Sequence, residues 1–85
     1  MKYQLRISNT FERELRRLRQ EDRNRVLKVI EEIQGSPYSF KPLTGQLAGT
    51  RSARMGSLRI VFAVDEQEKR VVLLYVGHRE RVYEH

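Results

Sequence analysis

A chain of 85 residues supports one small domain, and its lack of cysteine rules out disulfides and thiolate metal sites, so a core drawn from 39% apolar residues must hold the fold alone. Lys and Arg number 17 against 11 Asp and Glu, a formal net charge of +6 that comes mostly from arginine and favours anionic partners such as nucleic acid, the ribosome or an acidic protein. No apolar run reaches transmembrane length and no signal-peptide pattern opens the chain, so the expectation is a soluble cytoplasmic protein with no membrane partner.

In chain order, Tyr3, Leu5 and Ile7 alternate with Lys2, Gln4 and Arg6, which predicts a half-buried strand over residues 2–7. Asn9 with Glu12 three places on reads as a capping box, followed by a helix with Phe11, Leu15 and Leu18 on one face and Glu12 and Arg16 as an i,i+4 pair. The pattern breaks around residues 20–22. A second helix follows, with Val26, Leu27, Ile30 and Ile33 as its apolar stripe, Gly35 as its cap and Pro37 preventing continuation. The two form an antiparallel helix hairpin whose arginines, interspersed with Glu and Asp, decorate a solvated outer face. Residues 36–49 read as a loop pinned to the core by Leu43 and Leu47.

From Arg51 onward the chain reads as a three-stranded antiparallel meander. Gly56-Ser57 suits a two-residue type II′ turn, which sets Met55 opposite Leu58, Ala53 opposite Ile60 and Arg54 opposite Arg59. Ala53, Met55, Leu58, Ile60 and Phe62 then share one apolar face, under the helices, and the two arginines meet on the other. Like charges directly opposite destabilise a hairpin unless an anion lies between them or solvent screens them. A four-residue loop would pair Asp65 with Arg70 and bring Val76 beside Arg59. The arginine side would then also carry Val61, Val72, Leu74 and Val76 as a solvent-facing apolar patch, which suggests a covering partner. The architecture expected is a single α+β domain over residues 1–85, with an N-terminal strand, a helix hairpin and the meander.

No phosphate loop, zinc spacing or nucleophile elbow appears, and no metal or cofactor is expected. What remains is the arginine cluster with His78 and Tyr83. Arginine forks match phosphate oxygens and can stabilise a pentavalent phosphorane, and a tyrosine can orient or deprotonate a ribose hydroxyl or stack on a base. Such a set requires no metal when the nucleophile is the RNA's own 2′-hydroxyl. His78 reads more readily as a neutral surface histidine than as a general base.

The segment Ala53-Arg54-Met55-Gly56-Ser57-Leu58-Arg59-Ile60-Val61-Phe62 and the run Val76-Gly77-His78-Arg79-Glu80-Arg81-Val82-Tyr83 resemble the RelE branch of the RelE/ParE toxin superfamily of type II toxin–antitoxin systems. The element order matches as well, so the resemblance covers essentially the whole chain. It implies a RelE-like (microbial RNase-like) fold and a ribosome-dependent endoribonuclease, or mRNA interferase, that cuts A-site mRNA without a metal. In that resemblance Arg54 takes the place of a basic residue on the second strand and Arg59 that of the arginine at the scissile phosphate. Arg79 matches a general acid or leaving-group stabiliser and Tyr83 a residue that positions the nucleotide. Some relatives use a tail histidine as base, which keeps His78 in the set, and Arg51 and Arg81 are candidate substrate-binding residues. The chain departs from the pattern at Leu58, where an aromatic is usual, and at Ser52, where a second basic residue sometimes stands. A cognate antitoxin of acidic character is the implied partner, beside ribosome and mRNA. Two alternatives use the same residues: a ParE-like gyrase inhibitor and a non-catalytic RNA-binding module.

Overall fold

The computed structural model describes residues 2–78. Strand β1 (Gln4–Ile7) leads into helix α1 (Asn9–Arg17) and helix α2 (Gln20–Gly35). A short edge strand β2 (Lys41–Pro42) follows, and then the meander β3 (Arg51–Met55), β4 (Leu58–Asp65) and β5 (Arg70–His78). The five strands lie in the order β1-β5-β4-β3-β2. β1 runs parallel to β5, and the remaining pairs are antiparallel. The expected α+β architecture holds, with the first strand on the far side of the last.

Local chemistry explains the helix boundaries and corrects several details. The cap of α1 is Ser8 rather than Asn9, and the Phe11 amide donates to Ser8 Oγ at 3.0 Å. The hydroxyl of a residue just outside the helix reaches the third helical amide, and Asn9 lies one place too far in to do so. Arg16 pairs with Glu12 at 2.7 Å as expected. The break between the helices falls at Leu18–Arg19, two residues before its expected place, and Arg23 ties it down by donating to the Leu18 carbonyl. In α2, Val26, Ile30 and Ile33 recur at i, i+4 and i+7 and are buried. Leu27 lies a third of a turn off that stripe and is 54% exposed, so it does not belong to the core face.

The helices cover one face of the sheet, α1 against β5 and α2 against β3. Phe11, Val26, Ile30 and Ile33 meet Ala53, Leu58, Ile60, Phe62, Val71, Leu73 and Val76 in a single core. The segment before β3 is pinned by Phe40, whose ring meets Phe62 edge-on at 5.8 Å. Leu43 and Leu47, expected in that role, are only half-buried and lie outside the core cluster. Phe40 follows a one-turn 3-10 helix at Pro37–Ser39, which turns the chain back toward the sheet edge. β1, expected to be half-buried, is exposed at all its positions, with Leu5 at 37% and Ile7 at 44% even though they pair with the buried Val71 and Leu73.

At the end of the sheet where β4 turns into β5, Glu66 gathers three partners. Tyr3 and Tyr38 donate hydroxyl hydrogen bonds to its Oε1 at 2.8 and 2.7 Å, and Lys69 donates to Oε2. The Lys69 ammonium, then the Tyr38 and Tyr3 hydroxyls, pull the Glu66 carboxyl down to about 2. The same bonds push both phenols up. This cluster joins the N-terminus, the loop after α2 and the β4–β5 turn.

Candidate functional site

The site is built from the β3–β4 hairpin outward. Gly56 has φ of +64°, the left-handed value that the first central position of a type II′ turn requires and a side chain resists. The pairing is the expected one: Met55 with Leu58, Arg54 with Arg59, Ala53 with Ile60. A two-residue turn closes on a hydrogen-bonded pair, so the next pair, Arg54 and Arg59, is of the wide type whose Cα atoms sit about 4.5 Å apart with side chains close.

The two arginines differ in setting. Arg54 is exposed, whereas Arg59 is 4% exposed and Val61 beside it is fully buried. Arg59 was expected on an open strand surface. The structure instead buries Arg59, and the residue is engaged rather than free. An arginine stays charged when buried, so a site that holds one in place has already met much of the cost of orienting it.

The second half of the register departs from simple alternation. Asp65 pairs with Arg70 as expected, and pairing runs regularly to Phe62 with Leu73. A bulge then intervenes, so that Val61 pairs with Tyr75, Ile60 with Val76, Arg59 with Gly77 and Leu58 with His78. Val76 therefore lies opposite Ile60 in the core, 1% exposed, and not beside Arg59. The expected apolar patch shrinks accordingly: Val76 leaves it, Val61 is buried, and Val72 and Leu74 are half-buried.

The segment around α1 is bonded to β5 at and beside the bulge. Ser8 Oγ donates to the Leu74 carbonyl at 2.8 Å, the Ser8 amide donates to the Leu73 carbonyl at 3.0 Å, and the Val76 amide donates to Glu14 Oε1 at 3.0 Å. These bonds satisfy backbone groups of β5 there, the Ser8–Leu73 bond continuing the parallel ladder with β1. The bulge shifts the facing of the strand beyond it. As a result Tyr75 shares the face of Arg54 and Arg59, and Gly77 places no side chain beside Arg59.

The remaining candidates divide. Arg51 pairs with Phe62 and so shares the face of Ala53, opposite Arg54. Its guanidinium donates to the Phe40 carbonyl at 2.7 Å and lies 4.9 Å from the centre of the Tyr38 ring. That structural engagement separates it from the arginine pair. His78 sits at the same end of the sheet as the pair, but by register it takes the face of Leu58, and its Nδ1 lies 3.1 Å from Ser57 Oγ. Arg79, Arg81 and Tyr83 lie outside the described residues. Two residues escaped sequence reasoning. Arg25, assigned to the solvated helix face, reaches the hairpin turn, with its guanidinium 3.7 Å from where a Cβ on Gly56 would sit. Tyr75 was hidden by the bulge. Among the described residues, no cluster of His, Cys, Asp and Glu could hold a metal.

Comparison with known proteins identifies the family of the chain. A family described as "ParE toxin of type II toxin-antitoxin system, parDE" matches residues 5–83. The chain is 35% identical to "Toxin RelG" of Mycobacterium tuberculosis over 89 aligned positions, covering 98% of each. It is 31% identical to "Toxin RelE" of the same organism, covering 95% of this chain and 86% of that one. Among solved structures, the toxin–antitoxin complex RelBE2 from M. tuberculosis superposes with a TM-score of 0.86 at 33% identity, covering 93% of each chain. The intact E. coli RelBE complex follows with a TM-score of 0.80 at 26% identity, covering 93% of this chain and 99% of that one. By sequence and by fold alike, the chain belongs to the RelE/ParE toxin superfamily and is a toxin of a type II toxin–antitoxin system.

Proposed function

We propose that this toxin is a metal-independent endoribonuclease that cleaves mRNA in the ribosomal A site. The observation that carries the reading is the cross-strand pair of Arg54 and Arg59, two arginines directly opposite one another on one side of the sheet. Such a pair stabilises an anion between its members, and charge concentrates there in a phosphorane. In the reaction the 2′-oxygen of the preceding ribose loses its proton and attacks phosphorus. The bond from phosphorus to the 5′-oxygen breaks, and that oxygen takes up a proton. The products are a 2′,3′-cyclic phosphate and a 5′-hydroxyl. Arg59, buried and held, fixes the phosphate, and Arg54, exposed, closes on it from solvent. Arg79 protonates or stabilises the leaving oxygen and Tyr83 orients the nucleotide, roles carried over from the family resemblance. The ribosome supplies substrate alignment, in keeping with a site that has no strong base of its own.

The partner that controls it is a cognate antitoxin, as the RelBE2 and RelBE complexes among its structural relatives suggest. An acidic antitoxin would be drawn to a chain of net charge +6. The deciding experiment maps mRNA 5′-ends on programmed ribosomes by primer extension, with Arg54→Ala and Arg59→Ala as controls. A-site cuts that vanish in both variants support the reading, and intact message refutes it. The family description names ParE and so favours a second reading, a gyrase inhibitor. In that case the same ribosomes stay intact while DNA supercoiling by gyrase is blocked.

A further inference from the structure

We propose that Tyr75 is a base-stacking residue of the RNA site, an inference that rests on the nuclease reading. Three observations converge on it. The bulge in β5 turns Tyr75 onto the face of Arg54 and Arg59, where unbroken alternation would have buried it under the helices. The bulge is bracketed by bonds from outside the strand, Ser8 donating to the Leu74 carbonyl and Glu14 accepting from the Val76 amide. Finally, Tyr75 stands two residues from Gly77, the partner of Arg59. It is therefore the diagonal neighbour of that arginine, with Cβ atoms about 7–8 Å apart, within reach of an aromatic side chain. Gly77, directly opposite Arg59 and next to Tyr75 on that face, adds no side chain to it, and Val61 forms the remaining corner. Tyr75 is half-buried, and a phenol ring is a surface on which a base stacks. The ring acts here and the hydroxyl does not, so Tyr75 is a substrate-contacting residue without a role in proton transfer.

The test uses the absence of tryptophan from the chain. Tyr75→Trp makes a single local reporter whose emission is quenched when a base stacks on the indole. The probe is a single-stranded 2′-O-methyl RNA oligonucleotide, which lacks the attacking hydroxyl and stays intact, with polyphosphate as the base-free anion control. Quenching by the oligonucleotide and not by polyphosphate is expected. On programmed ribosomes, Tyr75→Phe keeps the ring and should recover most of the rate that Tyr75→Leu loses. Tyr75→Leu should lose roughly 5- to 150-fold in rate, with losses larger at purines, which stack more strongly. Equal quenching by polyphosphate, no quenching, or a Tyr75→Leu variant with the parent's rate and base preference would each overturn the proposal. If Tyr75→Leu fails to fold, the fluorescence titration of Tyr75→Trp decides. Should the parent leave ribosomal mRNA intact, the nuclease reading fails by itself, while base-specific quenching at position 75 would still establish an RNA-stacking face.

Discussion

Replacing Glu14 with alanine tests whether the bulge in β5 is held by a side chain 62 residues away in the chain. Glu14 Oε1 accepts from the Val76 amide at 3.0 Å in a partly buried setting, and Val76 itself is 1% exposed. Removing the acceptor leaves a backbone donor without its partner, at a cost of about 1–3 kcal/mol. For a domain of this size each 1 kcal/mol lowers the melting temperature by roughly 4–8 °C. A second effect distinguishes this loss from an ordinary helix-surface change. Without its outside support the end of β5 can return to simple alternation, which would bury Tyr75 and bring Val76 onto the arginine face. Urea unfolding should therefore show a lower midpoint, and amide exchange at Val76 and Gly77 should accelerate far more than exchange at Val71 and Leu73. Glu14→Gln keeps a carbonyl acceptor and should recover most of the loss. A Glu14→Ala protein with the parent's midpoint and the parent's exchange at Val76 would show that the bulge is set within the sheet, and the reasoning would fail.

Arg54→Ala, at an exposed position, should leave stability within about 1 kcal/mol of the parent while slowing mRNA cleavage on the order of 10²–10³-fold; normal cleavage would remove the arginine pair from the mechanism. Arg59→Lys should also cleave poorly, because a point charge cannot reproduce a bidentate fork, and parental rates in a single-turnover assay would count against phosphate contact there. The Glu66 carboxyl, held at about 2 against an ordinary 4.5, contributes stability above pH 4.5 that is lost as the pH falls toward 2. Acid titration of Glu66→Gln should show a shallower decline in that window, and an identical curve would mean that the tyrosine and lysine contacts do not persist in solution. Phe62→Ala removes a fully buried ring packed on Phe40, at a cost of about 3–5 kcal/mol, and circular dichroism should find it at or past the edge of folding.

The parts of the fold that were legible in the sequence are those governed by neighbours along the chain. Gly56-Ser57 dictates a turn, the turn dictates a register, and the register sets Arg54 against Arg59 without any distant information. The pairing of Asp65 with Arg70 was readable for the same reason. What could not be read depends on residues that meet only in the folded state. The slip after Phe62 is met by bonds from Ser8 and Glu14, and neither carries a local mark of them. The bulge moved Val76 into the core and Tyr75 out of it, and so altered both the expected patch and the site. The parallel pairing of β1 with β5 was equally invisible, since alternation predicts a strand and says nothing of its neighbour. Arg51 looked like part of the cluster by proximity in sequence, but an odd number of residues from Arg54 puts it on the other face.

That parallel pairing has a consequence for how the molecule comes into being. Ser8 and Leu74 are joined by a hydrogen bond across 66 residues, and among the described residues β1 meets no other strand than β5. Closing a loop of that length costs about 4 kcal/mol of chain entropy beyond a constant, and that cost precedes any gain from the contact. The hairpins of the meander can form early from local contacts, while β1 must wait for β5. During synthesis the first strand leaves the ribosome long before its mate exists. A nascent chain thus has the residues of the toxin without its geometry. The five-stranded sheet is completed only when β5 has been released.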